Sequence, residues 1–476
     1  MTAQPRQVGV LVIACAGVVL ANLDLFIVNV ALPQIAADFD EHDSLANLSW
    51  VLNAYAIVYA ALLVLFGRLA DRFPREHGFL LGVAIFVVAS AACGAATSVA
   101  MLVAFRVLQA AGAALLTPTS LGLVLASTPA ERRHGAVRTW AAVGGLAAAL
   151  GPVLGGLLVA ADWRWVFFVN VPIGVAALIA GRRWLPHVPG QRVPAPDGLG
   201  ALLMTAGVAL LTLGLVKGGE WGWHGPTTVG VLAGAAVGVA LFVAHTVHHR
   251  NPLIDRRLFA LRAFTGASTV ALVFSVAFGA MLLSRVLWMQ DVWGWSALRT
   301  GLAIAPGPLM VPLFATVAGR LVSRYGAGPV IAAGCAIFSA GTAWWALAAG
   351  VQPDYVDGFL GGMLLTGVGT GLALPTLMAT GSASLPAHSF ATGSAVVNML
   401  RQIGLAIGVA VLIAVLGTPH TPGDGVHAHR DALIVIAAIA LAAGVVALAL
   451  LSRGRAPMVD ATPMSAVAAE TSATAQ

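Results

Sequence analysis

The stretch VVLANLDLFIVNVALP, Val18 to Pro33, is apolar and helix-length, yet Asp24 stands near its middle. A carboxylate in such surroundings has no solvent to stabilise it, so the neighbouring sequence decides what kind of molecule this is. The apolar run extends over about residues 8–32, and runs of similar length recur along the chain. A helix of about 20 apolar residues crosses a bilayer. Of 476 residues, 59% are hydrophobic and 9% charged, with a mean hydropathy of +0.91. Soluble domains carry roughly 25% charged residues, so the composition predicts an all-α polytopic membrane protein. A signal-peptide reading of the first run fails because it is too long and lacks a small-residue cleavage site.

Fourteen spans are expected, near residues 8–32, 47–66, 78–97, 99–125, 139–160, 166–184, 199–217, 226–247, 264–290, 299–318, 329–350, 358–380, 391–416 and 431–452. With the N-terminus inside, eighteen Arg residues fall in inside loops and ends. Arg164, Lys217, Arg299 and Arg430 fall outside. That asymmetry predicts both termini in the cytoplasm. The net charge of +6 thus belongs to loops at the membrane surface and does not point to a nucleic-acid partner. Cys15, Cys93 and Cys335 lie in apolar runs without a pairing pattern and read as small core residues.

GRLADRFPR (Gly67 to Arg75) after span 2 resembles GRLVSRYGA (Gly319 to Ala327) after span 10. A repeat of this kind predicts two related bundles with a path between them. The expected units are a six-span bundle over 8–184, two inserted spans with linkers over 185–250, a second six-span bundle over 251–452, and a disordered cytoplasmic tail over 453–476.

Asp24 is the one acid deep inside an expected span. An intramembrane ionisable group is costly and marks function by default, and exclusion of water disfavours the charged form of any carboxyl. Its partner is Arg106. Asp24 lies about 12 Å below the outer end of span 1 and Arg106 about 10 Å below that of span 4, at a rise of about 1.5 Å per residue. Helical spacing puts Arg106, Gln109, Ala113 and Thr117 on one face, a polar stripe suited to a wet cavity or to interhelical bonding. Arg401, sharing a face with Ser394 and Asn398, and Arg285, near enough to Gln290 to snorkel outward, are further cavity candidates. One acid against up to three Arg suits neutral, zwitterionic or anionic substrates better than dications. Asn22 and Asn29 share an edge of span 1 away from Asp24, expected to bond a neighbouring helix.

GGLAAALGPVLGG (Gly144 to Gly156) has small residues for close helix approach and Pro152 for a kink. Trp163, Trp165, Trp221, Trp223, Trp293 and Trp295 fall at outer boundaries and predict an aromatic belt. His245, His248 and His249 sit at a cytoplasmic edge beside Arg250, and no metal site is assigned to them. A P-loop needs Gly-Lys-Ser/Thr. The single lysine, Lys217, lies between Val216 and Gly218, so the chain has no ATP site of that kind, and no enzyme motif takes its place.

Together these residues resemble the major facilitator superfamily, in its fourteen-span drug–proton antiporter branch, over roughly 8–452. LDLFIVNVALPQI is similar to that branch's first-span signature, with Asp24, Asn29 and Pro33 in place. RVLQAAGAALLTP resembles its span-4 proton-transfer motif, carrying Arg106 and Gln109, with Ala110 where glycine is usual. GPVLGG resembles the span-5 antiporter motif through Gly151, Pro152, Gly155 and Gly156. WRWVFFVNVPIG and RQIGLAIGVAV resemble the start of span 6 and span 13. The GRLADRFPR likeness implies a conformational gate at Gly67, Asp71 and Arg72, repeated at Gly319, Arg320 and Arg324, although Pro74 replaces the usual glycine. Arg285 stands among positions that are usually apolar. The resemblance implies a monomeric secondary transporter in the cytoplasmic membrane, without cofactor, driven by the proton gradient. Its partners would be protons, a small organic substrate and membrane lipids. Efflux of antibiotics, drugs or secondary metabolites is expected, with uptake by the same fold as the alternative.

Overall fold

The computed structural model describes residues 3–39, 45–129, 132–190, 197–383, 385, 390–417 and 422–452; the expected tail over 453–476 lies outside them. Helices dominate and the described residues hold no strand. The first group is α1 (Ala3–Asp38), α2 (Leu45–Arg72), α3 (Arg75–Gly94), α4 (Val99–Ser127), α5 (Arg133–Val159), α6 (Trp165–Phe168) and α7 (Asn170–Trp184). A hairpin follows, α8 (Gly198–Trp221) and α9 (Pro226–His248). After α10 (Arg256–Phe259) come α11 (Arg262–Leu287), α12 (Ala297–Ile304), α13 (Pro306–Tyr325), α14 (Ala327–Ala348), α15 (Gly361–Ala383), α16 (Phe390–Leu416) and α17 (Pro422–Leu451). Short π-helical turns, Trp288–Val292 and Val356–Leu360, follow α11 and precede α15. Combined where they run on, these helices make 14 segments long and apolar enough to cross a membrane.

Side chains cap the helices where the chain re-enters apolar surroundings. Ser98, Asp197 and Ser296 accept from the amides of Met101, Gly200 and Arg299 at the starts of α4, α8 and α12. Small residues set the spacing. A Cβ on Gly112 of α4 would lie 2.7 Å from the Phe86 amide of α3, and one on Gly334 of α14 would lie 2.8 Å from the Gly369 carbonyl of α15. Lipid tails are as apolar as leucine, so close backbone approach is what holds such helices together.

Helices α1 to α7 pack on one another, as do α11 to α17. The two groups meet through α2 with α16, α5 with α12, and α1 with α11. Helix α8 packs against both α2 and α16, covering that seam. Helix α9 is apolar all round and buries only Thr228, Ala235 and Thr246. It leans on α8 and turns the rest outward.

The repeated turns differ in construction. Pro74 starts α3 in extended geometry (φ −54, ψ 124), whereas its counterpart Gly326 ends α13 in the left-handed region (φ 86) that favours glycine. The Leu185–Gly190 segment straps the first turn. The Arg75 amide donates to the Val188 carbonyl, the Val188 amide to Glu76, and a Cβ on Gly190 would strike the Arg72 carbonyl.

Two sequence expectations change here. Trp163, Trp293 and Trp295 are buried, while Trp165, Trp221 and Trp223 are exposed, so half of the expected belt is internal packing. Trp163 and Trp293 donate to Asp38 and to the Gly350 carbonyl. Asn22 and Asn29 donate to the carbonyls of Val18 and Leu25 one turn back, satisfying their amides within α1 instead of on a neighbouring helix.

Candidate functional site

Asp24 on α1 and Arg106 on α4 are both fully buried, and an Arg106 Nη1 donates to Asp24 Oδ2. The other carboxylate oxygen accepts from Gln109 Nε2 at 2.8 Å and Asn170 Nδ2 at 3.3 Å. Gln109 Oε1 accepts from Arg106 at 2.7 Å. Ser90 on α3 accepts from Gln109 and Asn170 at 3.1 Å each, and donates to the Phe167 carbonyl at 2.9 Å. Arg106 Nε donates to the Val51 carbonyl of α2 at 3.1 Å, and its guanidinium lies 4.1 Å from the Tyr55 ring centre. Six helices of the first group therefore converge on one carboxylate. Buried charges persist when they are paired and hydrogen-bonded throughout. Removing one partner of such a pair costs about 3–5 kcal/mol.

A narrow cavity lies between the two helix groups, with about 390 Å³ of empty space including its mouth. Leu25, Asn29, Asn53 and Arg106 line it from the first group, and Gly279, Leu282 and Leu405 from the second. Arg106 thus touches both the cavity and Asp24 and stands between them. The remaining cavity candidates lie elsewhere. Gln109 turns inward to Asp24. The Thr117 hydroxyl sits 2.9 Å from that of Tyr59, and Asn398 and Arg401 of α16 approach the same Tyr59 from the second group. These residues meet across the seam on the arginine-rich side of the cavity. Arg285 does not snorkel; it is 4% exposed, inside the second group.

The arginine-poor end is closed by direct contact between the groups. Gln34 Nε2 of α1 donates to Gln290 Oε1 at 3.0 Å, and Gln290 donates to the Val30 carbonyl at 3.2 Å. The glycines of α5 work in pairs. Cβ atoms on Gly151 and Gly155 would strike Phe26 and Ile27 of α1, while one on Gly156 would lie 2.5 Å from the Ala297 carbonyl of α12. One on Gly301 of α12 would lie 2.3 Å from the Pro152 carbonyl. Two faces of one helix thus bind two different helix groups at backbone contact.

The gate residues show less engagement. A Cβ on Gly67 would meet only Pro118 of α4, at 3.9 Å, Gly319 has open space around it, and Arg72, Arg320 and Arg324 are exposed. The Asp71 side chain lies outside the described residues. A knot unforeseen from sequence sits nearby. Asp197, which caps α8, accepts from His245 of α9 at 2.9 Å and from the Leu253 amide at 2.9 Å. Arg68 of α2 faces both Asp197 and Asp255. His249 brings a third ligand-type atom to within 4.8 Å of Asp197 and His245, but both Asp197 oxygens are already occupied by amides.

Asn170, Ser90, Tyr55 and Tyr59 were missed in the sequence. Their signal was weak: lone polar residues in spans 3 and 6, and two tyrosines one turn apart in span 2.

Two helix bundles around a cavity, with a buried ion pair at its edge, define a membrane transporter. Residues 14–409 match the family model described as Major Facilitator Superfamily, and the chain belongs to that superfamily as a multi-pass membrane protein. It is 34% identical over 409 residues to the tetracenomycin C resistance and export protein of Streptomyces glaucescens, covering 86% of this chain and 74% of that one. It is 35% identical over 446 residues to the cephamycin export protein CmcT of Amycolatopsis lactamdurans, covering 91% and 90%. A crystal structure of the peptide transporter POT in complex with sulfate shares the fold, with a TM-score of 0.66 at 17% identity over 94% of this chain and 98% of that one.

Proposed function

We propose that this protein exports antibiotics or similar small organic compounds across the cytoplasmic membrane in exchange for protons, with the arginine-poor end outside. The observation that carries the coupling is Asp24, a fully buried carboxylate paired to Arg106, which lines the cavity. Its proton would come from outside when that face opens. Protonation would remove the charge that holds Arg106, freeing the guanidinium to swing toward the cavity. Substrate arriving from inside would favour return of Arg106 to Asp24 and release of the proton inward. The closed face between α5 and α12 would part in the outward-open state. The names of the relatives support export of antibiotics. At a membrane potential of about 150 mV one proton releases roughly 3.5 kcal/mol, enough for roughly a few-hundred-fold gradient.

The test is drug accumulation in a drug-sensitive host expressing the chain, with and without an uncoupler. Lowered accumulation that the uncoupler abolishes is expected. Raised accumulation would mean uptake, and lowered accumulation indifferent to the uncoupler would end the proton reading.

A further inference from the structure

The second helix group contains a buried cation with no ion pair among the described residues. Arg285 of α11 is 4% exposed, and its Nε has no hydrogen-bond partner. Its Nη1 meets only the Met363 sulfur of α15, at 3.5 Å. Asp291, the acid nearest in sequence, is exposed and forms no ion pair with it. Two more buried donors flank it without partners, the Ser284 hydroxyl and the Trp288 indole N–H, each 1% exposed. At about 100° per residue, positions 284, 285 and 288 share an arc of roughly 100° within little more than one turn. Three buried donors on one arc lack an acceptor among the described residues, and an intramembrane charge left unpaired marks function by default.

The surroundings connect this arc to the transport path. Leu282, one turn before Arg285, lines the cavity between the groups. Trp288 begins the π turn, and Gln290 within that turn binds Gln34 and Val30 of α1, the helix that carries Asp24. π turns concentrate at functional sites because they leave the backbone able to shift register. Any parting of α1 from α11 at this face must break the Gln290 bonds and so pull on the turn that begins three residues after Arg285.

Resting on the reading of the chain as an exporter of organic compounds, we propose that Arg285, with Ser284 and Trp288, binds an anionic group of the substrate, a carboxylate or phenolate. A guanidinium offers paired donors to a planar carboxylate, and the hydroxyl and indole N–H supply further donors. The site selects acidic compounds over their neutral and cationic analogues.

The experiment uses the full chain in lipid nanodiscs and three fluorescent probes of one shape: anthracene-9-carboxylate, anthracene-9-carboxamide and 9-(aminomethyl)anthracene. The expected result is at least tenfold tighter binding of the carboxylate than of the amide, and weaker binding of the amine than of either. Arg285→Gln should erase the preference, bringing carboxylate and amide to equal affinity, with a thermal unfolding profile matching the native chain's as the check on its folding. Arg285→Lys should keep part of it. Equal binding of carboxylate and amide by the native chain, or a preference that survives Arg285→Gln, overturns the anion site alone. Failure of all three probes to bind likewise overturns the anion site, while the exporter reading is decided separately by the accumulation assay.

Discussion

Arg106 donates to Asp24 with neither side chain reaching solvent, and Gln109 bonds to both. A closed triangle of this kind has two consequences: the pair cannot separate without exposing a charge, and a proton on Asp24 removes the reason for the pairing.

Asp24→Asn is therefore expected to insert normally but to lose uncoupler-sensitive efflux, a drop of at least a hundredfold in drug accumulation rates measured in inverted vesicles. Retention of full activity would remove Asp24 from the coupling role.

The pair also makes a stability prediction. Arg106→Ala leaves a buried carboxylate without its cation, costing about 3–5 kcal/mol. Thermal unfolding in detergent should show a large loss for that variant. The double variant Asp24→Asn with Arg106→Gln should recover much of the loss without recovering transport, because the charges go together.

Gly156 against Ala297 predicts how the arginine-poor face responds to a single methyl group. In Gly156→Ala the added carbon would sit 2.5 Å from a backbone carbonyl, and backbone cannot step aside cheaply. Overpacking of about 1–3 kcal/mol should open this face, raising the reactivity of a cysteine placed at Gln34 toward an impermeant maleimide. The native cysteines, Cys15, Cys93 and Cys335, are buried and free. Gly145→Ala, with nothing near its position, should leave the labelling unchanged.

Asp197 gives a pH prediction outside the spans. Burial alone would raise its pKa, but the Gly200 amide, His245 and the Leu253 amide outweigh burial and hold the carboxyl below its usual value. A lowered pKa stabilises the fold above the unfolded value and loses that contribution as pH falls through the folded one. Asp197→Asn should thus lower the Tm near neutral pH, and the gap to the native chain should close on acidification below the ordinary aspartate range of about 4. A gap independent of pH would show that the contribution is not electrostatic.

Much of this was legible in the residues. The 14 spans followed from length and apolarity alone, because a bilayer imposes a fixed thickness. Asp24 and Arg106 were matched by depth, since the helical rise converts sequence distance into height. The glycines of α5 were visible as small residues, but not which helices they meet.

What the sequence determined by itself was the solvent, the number of crossings, and one acid with one base at equal height. The tertiary structure decided the rest: Gln109 turned to Asp24 instead of the cavity, Tyr59 shared by Thr117 and Arg401, α8 laid over the α2–α16 seam, and Arg285 buried against a methionine sulfur. The reason is physical. In a soluble helix the apolar stripe names the buried face. In a membrane, lipid and protein interior are equally apolar, so the pattern sets each helix's depth but leaves its rotation and its neighbours to packing.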